Sequence, residues 1–184
     1  MRYTVGVGKP CKKAYDDANE AMRYLRDNSS DLQIDSEKIA AIGFSAGGHL
    51  AAWISILSDN KPNAAILGYP CTLAKIGERL GKELPELIEQ IDANTPPTFI
   101  FTARDDNVVP VEHTIRYIDA LDAAKVDFEA HIFASGGHGF SLSKPLTASG
   151  DAAMANKDAA RWFQLSVNWL KNLFGDFEVG DETD

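Results

Sequence analysis

The feature that most constrains the fold is an alternation of two kinds of segment. Short apolar runs, too brief for helices, recur along the chain. Ile39–Phe44 (IAAIGF), Ala64–Leu67, Thr98–Thr102 (TFIFT) and Phe128–Phe133 read as strands, and Arg2–Val5 as the end of another. Between and after them lie segments with helical period. Tyr15–Asn28 places Tyr15, Ala18, Met22 and Leu25 on one face, and Ala46–Leu57 is small and apolar nearly all round. Leu84–Ile91 is modestly amphipathic, and Val111–Ala124 strongly so, starting just after Pro110. Ala159–Phe174 carries Trp162, Phe163, Val167, Trp169 and Leu173. Strands separated by helices imply a mostly parallel sheet with helices on both faces, an α/β fold. Reactive groups in such sheets gather at the carboxyl ends of the strands. With 184 residues, one domain is expected, over residues 1–176, followed by an acidic tail at 177–184.

Composition narrows the function classes. A net charge of −9 with no Lys/Arg cluster argues against a nucleic-acid surface. No stretch approaches 18 apolar residues, so no membrane span is expected. The opening MRYTVGVGKP has no apolar core before a small-residue cleavage site, so it does not read as a signal peptide, and the chain as it stands reads as cytoplasmic. Cys11 and Cys71 stand in no metal-ligand spacing, and two reduced thiols are expected. Gly6-Val7-Gly8-Lys9-Pro10 resembles a phosphate loop superficially, but the spacing is incomplete and Pro10 replaces the hydroxyl residue.

Three motifs carry chemistry. Gly43-Phe44-Ser45-Ala46-Gly47 is a G-x-S-x-G sequence between an expected strand and an expected helix. Such a turn presents the serine Oγ at the sheet edge, and glycines flank the serine because the turn is tight. The pattern alone arises by chance in roughly one chain in twenty of this length, so its strand–helix setting is what gives it weight. A serine needs a base. Of the four histidines, His49 follows Ser45 by one helical turn and reads as a local helix contact. His113 opens an amphipathic helix and is expected to be exposed, and His131 lies on a strand face. His138 sits in Gly136-Gly137-His138-Gly139-Phe140, just past a strand, where flanking glycines let the ring swing over a neighbouring strand end. An acid that orients the imidazole is expected past the strand TFIFT, where Asp105 and Asp106 are both candidates; an Asx turn is the competing role for the second.

GFSAGGHLAA, DDNVVPVEH and GGHGFSL resemble the acetyl-xylan-esterase-like and feruloyl-esterase-like branch of the α/β-hydrolases, near the dienelactone hydrolases and prolyl oligopeptidases. ILGYP, TPPTFIF and RWFQLSVNWL are similar to the same branch, so the resemblance covers nearly the whole chain. It implies Ser45 as nucleophile, Asp105 (the first Asp of DDNVV) as acid, His138 as base and the Ala46 backbone N–H as an oxyanion donor. It implies no cofactor and no metal. The implied substrates are small-molecule or carbohydrate esters of short, acetyl-type acyl groups. A peptidase of the prolyl-oligopeptidase kind, or a weakly active remnant, is the alternative. Such proteins carry an upstream His-Gly-Gly loop that supplies a second oxyanion N–H, and nothing before Ser45 matches it. The chain is therefore expected to lack the N-terminal strands of the fold, leaving a gap between Arg2–Val5 and Ile39–Phe44. Tyr69, Cys71 and Phe140 are candidates for lining a pocket, with core packing as the competing role.

Overall fold

The computed structural model describes residues 3–4, 11–148 and 154–176. Four strands, β1 (Ala40–Phe44), β2 (Ala64–Gly68), β3 (Thr98–Ala103) and β4 (Phe128–Phe133), form one sheet in the order β1-β2-β3-β4. Every pairing is parallel, with Ala40 opposite Ala64, Ala65 opposite Thr98 and Thr98 opposite Phe128. The helices are α1 (Lys12–Asp27), α2 (Ala46–Leu57), α3 (Ile76–Leu80), α4 (Glu112–Ala123) and α5 (Trp162–Phe174).

Alternation along the strands sorts side chains to two cores. Ala65 and Leu67 of β2 and Ile100 of β3 pack with Ala51, Ala52 and Ile56 of α2 and with Tyr117 and Leu121 of α4. Their neighbours Ile66, Phe99, Phe101 and Ala103 pack on the opposite face with Phe140, Ala159 and Trp162. The Trp162 ring stacks on Phe101 with centroids 4.3 Å apart, and its indole N–H donates to the Ser141 carbonyl at 2.7 Å. Helices thus cover both faces, as β2 and β3, apolar on both sides, require. α1 lies beside α2, joined through Ala18, Met22, Leu50 and Ile54.

Two expectations are corrected, and one short helix is added. Leu84–Ile91 is not a helix: only a three-residue 3₁₀ turn, Ile88–Gln90, forms there. Pro85 interrupts the run, and the Glu86 carboxylate caps loop N–H groups of Ala74 and Ile88 instead. The short helix α3 falls where no helical period is visible. Of Arg2–Val5, the described residues Tyr3 and Thr4 are not in a strand, and the Thr4 N–H donates to Asp17 Oδ2 on α1 at 2.8 Å. Gly6–Pro10 and the tail from 177 lie outside the described residues. Among those that are described, β1 is an edge strand, with Ile42 53% exposed. No described helix is long and apolar enough to cross a membrane.

Candidate active site

Ser45 stands between β1 and α2 with φ +52° and ψ −118°, a strained backbone for a residue with a side chain. The strain is held from both sides. The Ser45 N–H donates to the Gly68 carbonyl at 2.9 Å, and the Ser45 carbonyl accepts from His49 N–H at 3.0 Å and Cys71 N–H at 3.3 Å. The tightness of the turn is borne by Gly43 and Gly48. A Cβ on Gly43 would sit 2.1 Å from the Gly47 carbonyl oxygen, and one on Gly48 would sit 2.8 Å from Pro70 Cβ. Gly47, the second glycine of the motif, has more room: the nearest described atom, Tyr3 Oη, is 3.9 Å from its Cβ position. Ala46 is the first residue of α2, so its N–H belongs to the turn that has no acceptor within the helix.

His138 reaches this serine from beyond β4. Its Nε2 is 2.8 Å from Ser45 Oγ, 93 residues away in sequence. The flanking Gly137 and Gly139 have φ of +64° and +78°, with open space at both Cβ positions. Their glycines are therefore explained by backbone conformation and not by crowding. The Tyr69 ring packs edge-on against the imidazole at 5.1 Å, while Tyr69 Oη accepts the Ser141 N–H at 3.2 Å. Burial pushes the Tyr69 hydroxyl above its ordinary pKa. Tyr69 and Phe140, both buried, pack in the core under His138, whereas Cys71 lines a cavity.

The acid expected at Asp105 is corrected by the geometry. The group on the imidazole is Asp106, whose Oδ2 is 2.7 Å from His138 Nδ1 and whose side chain is fully buried. Its other oxygen accepts the N–H groups of Val108 and Val109 at 2.9 and 2.8 Å. The Asx turn and the imidazole contact thus coexist, one per carboxylate oxygen. Asp105 is exposed, because the turn after β3 carries it outward, and its Oδ1 accepts the Gly137 N–H at 2.9 Å. It tethers the histidine loop without touching the ring.

The other histidines bond away from Ser45, and two depart from expectation. His113 is 2% exposed, not on the surface. Its Nδ1 accepts the N–H groups of Thr72 and Leu73 at 3.0 and 3.1 Å, and burial pushes its pKa down to about 4. His49 does more than contact its own helix. Nδ1 lies 2.8 Å from the Cys71 carbonyl and Nε2 lies 2.8 Å from Tyr15 Oη, so it ties α2 to the loop after β2 and to α1. Burial lowers its pKa, which favours the neutral ring: Nδ1–H donates to Cys71 and Tyr15 O–H donates to Nε2. His131 stands on β4 as expected, 2.8 Å from Glu129. Both cysteines are free, and burial pushes the Cys71 thiol up to about 11, against a smaller opposing contact from Ser45. No cluster of His, Cys, Asp or Glu among the described residues has the makings of a metal site.

A parallel sheet covered on both faces, with a serine on a strained strand-to-helix turn and a histidine and an aspartate arriving from later strand ends, defines the α/β-hydrolase class. Within that class the chain belongs to the dienelactone hydrolase family, whose sequence pattern matches residues 3–174. It is 35% identical over 180 residues to the acetylxylan esterase of Xylanibacter ruminicola, covering 85% of this chain and 35% of that protein. It is 31% identical over 166 residues to endo-1,4-beta-xylanase B of Butyrivibrio fibrisolvens, covering 76% of this chain and 26% of that one. The chain therefore spans about a third or less of these curated relatives. Among solved structures, an α/β hydrolase enzyme from a Medee basin deep-sea metagenome library matches with a TM-score of 0.86 at 36% identity, covering 94% of this chain and 69% of that one.

Proposed function

We propose that the chain is a serine carboxylic-ester hydrolase working through an acyl-enzyme on Ser45. The observation that carries this reading is the unbroken relay Ser45 Oγ to His138 Nε2 at 2.8 Å and His138 Nδ1 to Asp106 Oδ2 at 2.7 Å. Ser45 Oγ attacks the acyl carbonyl while His138 Nε2 takes its proton. The buried Asp106 carboxylate fixes the Nδ1–H tautomer and stabilises the imidazolium that forms. Charge developing on the carbonyl oxygen is met by the Ala46 N–H at the positive end of α2. Collapse expels the alcohol, which receives the proton from His138. A water activated by the same histidine then releases the acid.

The substrates proposed are acetyl-type esters of small molecules or carbohydrates. The relation to an acetylxylan esterase supports the acyl class. The half-exposed histidine loop, with exposed Ala134 and Ser135 before it, supports a large hydrophilic alcohol such as a sugar on the leaving-group side. The test is hydrolysis of p-nitrophenyl acetate and release of acetate from acetylated xylan, by the wild type and Ser45→Ala. Loss of turnover in the variant is expected, and turnover that survives unchanged overturns the reading.

A further inference from the structure

β4 (Phe128–Phe133) lies at one side of the sheet, and no described strand pairs with its outer edge. Its ladder to β3 shows which groups point outward. The Thr98 N–H donates to the Asp127 carbonyl at 3.1 Å, and the Arg104 N–H donates to the Phe133 carbonyl at 2.7 Å. Backbone direction alternates along a strand, so Asp127, Glu129, His131 and Phe133 bond toward β3. The N–H and C=O groups of Phe128, Ala130 and Ile132 therefore face away from the sheet. Such an edge is commonly guarded by lysine, proline or a bulge. β4 reads FEAHIF, with neither Lys nor Pro, and its register with β3 is unbroken.

The side chains along this edge are self-complementary. Phe128 is 38% and Ile132 43% exposed, on one face with Ala130 between them. Glu129 and His131 share the other face, with His131 Nε2 2.8 Å from Glu129 Oε1. A second copy of β4, laid antiparallel about a two-fold axis at Ala130, sets Phe128 opposite Ile132 and Glu129 opposite His131. The symmetry makes each pair occur twice. Aromatic–β-branched and opposite-charge pairs are those that stabilise neighbouring antiparallel strands. The same register joins Phe128, Ala130 and Ile132, the three residues with outward backbone groups, in hydrogen-bonded pairs. Centring one residue earlier sets Glu129 against its own copy, and one residue later sets His131 against its own copy. Both shifts also part Phe128 from Ile132. β1, the other edge, reads AAIGF and has no charged residue for such a match.

We propose that the outer edge of β4 is a homodimer interface, where two copies of this chain pair β4 to β4, antiparallel and centred on Ala130. The two four-stranded sheets become one continuous sheet. The match of the strand to its own sequence favours a second copy over an unrelated extended peptide. The interface is independent of the esterase reading.

The experiment is sedimentation velocity of the full chain over a dilution series, with circular dichroism to verify the fold of each variant. The wild type is expected at twice the 20.0 kDa chain mass, dissociating to one chain on dilution. Ala130→Pro removes an outward N–H at the two-fold axis and none from the β3 ladder, so it gives a folded monomer. Phe128→Lys and Ile132→Glu test the register at two exposed positions. Each alone raises the dissociation constant roughly tenfold, because each pair occurs twice. Together they set opposite charges across the interface and recover most of that loss. Positions 128 and 132 of one chain lie about 13 Å apart along the strand, so the recovery requires two chains. This pair of variants decides the question even where Ala130→Pro does not fold. A wild type that stays monomeric across the series, its β4 edge left to another part of the chain or to another protein, overturns the proposal. A dimer that survives Ala130→Pro in a folded protein overturns it too. So does a double variant weakened as much as the two single variants combined.

Discussion

Replacing Asp106 by Asn separates the two adjacent carboxylates most sharply. The substitution keeps shape, and its Oδ1 can still accept from Val108 and Val109, where the native bonds are 2.9 and 2.8 Å. What it removes is the acceptor charge 2.7 Å from His138 Nδ1. The imidazole then favours the tautomer with its proton on Nε2, toward Ser45, and cannot act as a base there. Loss of this orienting charge in a Ser-His-Asp relay costs roughly 10⁴ in kcat, or about 5.4 kcal/mol of transition-state stabilisation. Asp105→Asn keeps an oxygen for the Gly137 N–H at an exposed position, so it costs less than about tenfold. The assay is steady-state hydrolysis of p-nitrophenyl acetate by both variants, with circular dichroism to verify the fold. A gap of roughly 10³ between them is expected. Equal losses, or a larger loss in Asp105→Asn, would refute the assignment of Asp106 to the relay.

Other outcomes follow from buried groups near the site. The folded-state pKa of His113, about 4, lies below its ordinary 6.5, so its contribution to stability is complete above pH 6.5 and is lost as the pH falls toward 4. Protonation would set an Nδ1–H against the N–H groups of Thr72 and Leu73. Stability should fall by about 2 kcal/mol between pH 7 and pH 5 from this group. Urea titrations of His113→Gln should show that much less pH dependence, and an unchanged slope would contradict the assignment. Gly48→Ala forces a methyl 2.8 Å from Pro70 and should cost about 1–3 kcal/mol in thermal unfolding. Gly47→Ala meets no described atom closer than 3.9 Å and gains helix propensity, so its melting temperature should not fall. The reverse ranking would mean that the motif's own glycine bears the tightness of the turn.

The sequence made the sheet legible because each strand is a short apolar run isolated by loop residues. β1 to β4 fall within a residue or so of their expected bounds, α4 and α5 follow the hydrophobic period, and α2 is the run of small apolar residues expected to form a buried helix. Ser45 and His138 were legible because glycines mark both turns. The choice between Asp105 and Asp106 was not, because one residue of rotation in a turn swaps exposed for buried, and no periodicity specifies it. A carboxylate can also serve an Asx turn and an imidazole at once, so a turn role at Asp106 did not count against a relay role. His113 is buried, against expectation, for a related reason. It opens an amphipathic helix, but the Thr72–Leu73 backbone, forty residues earlier, covers it. The segment 84–91 shows helical spacing of apolar residues, but Pro85 and the Glu86 side-chain contacts override it.

The proposed ester hydrolysis requires Ser45 to become covalently acylated. Rapid acid quench of the protein during turnover of p-nitrophenyl acetate, followed by peptide mass mapping, tests this directly. One acetyl group on the peptide containing Ser45 is predicted, and it is absent in Ser45→Ala. Turnover with no acyl adduct in the wild type, or an adduct on another residue that persists in Ser45→Ala, would contradict it.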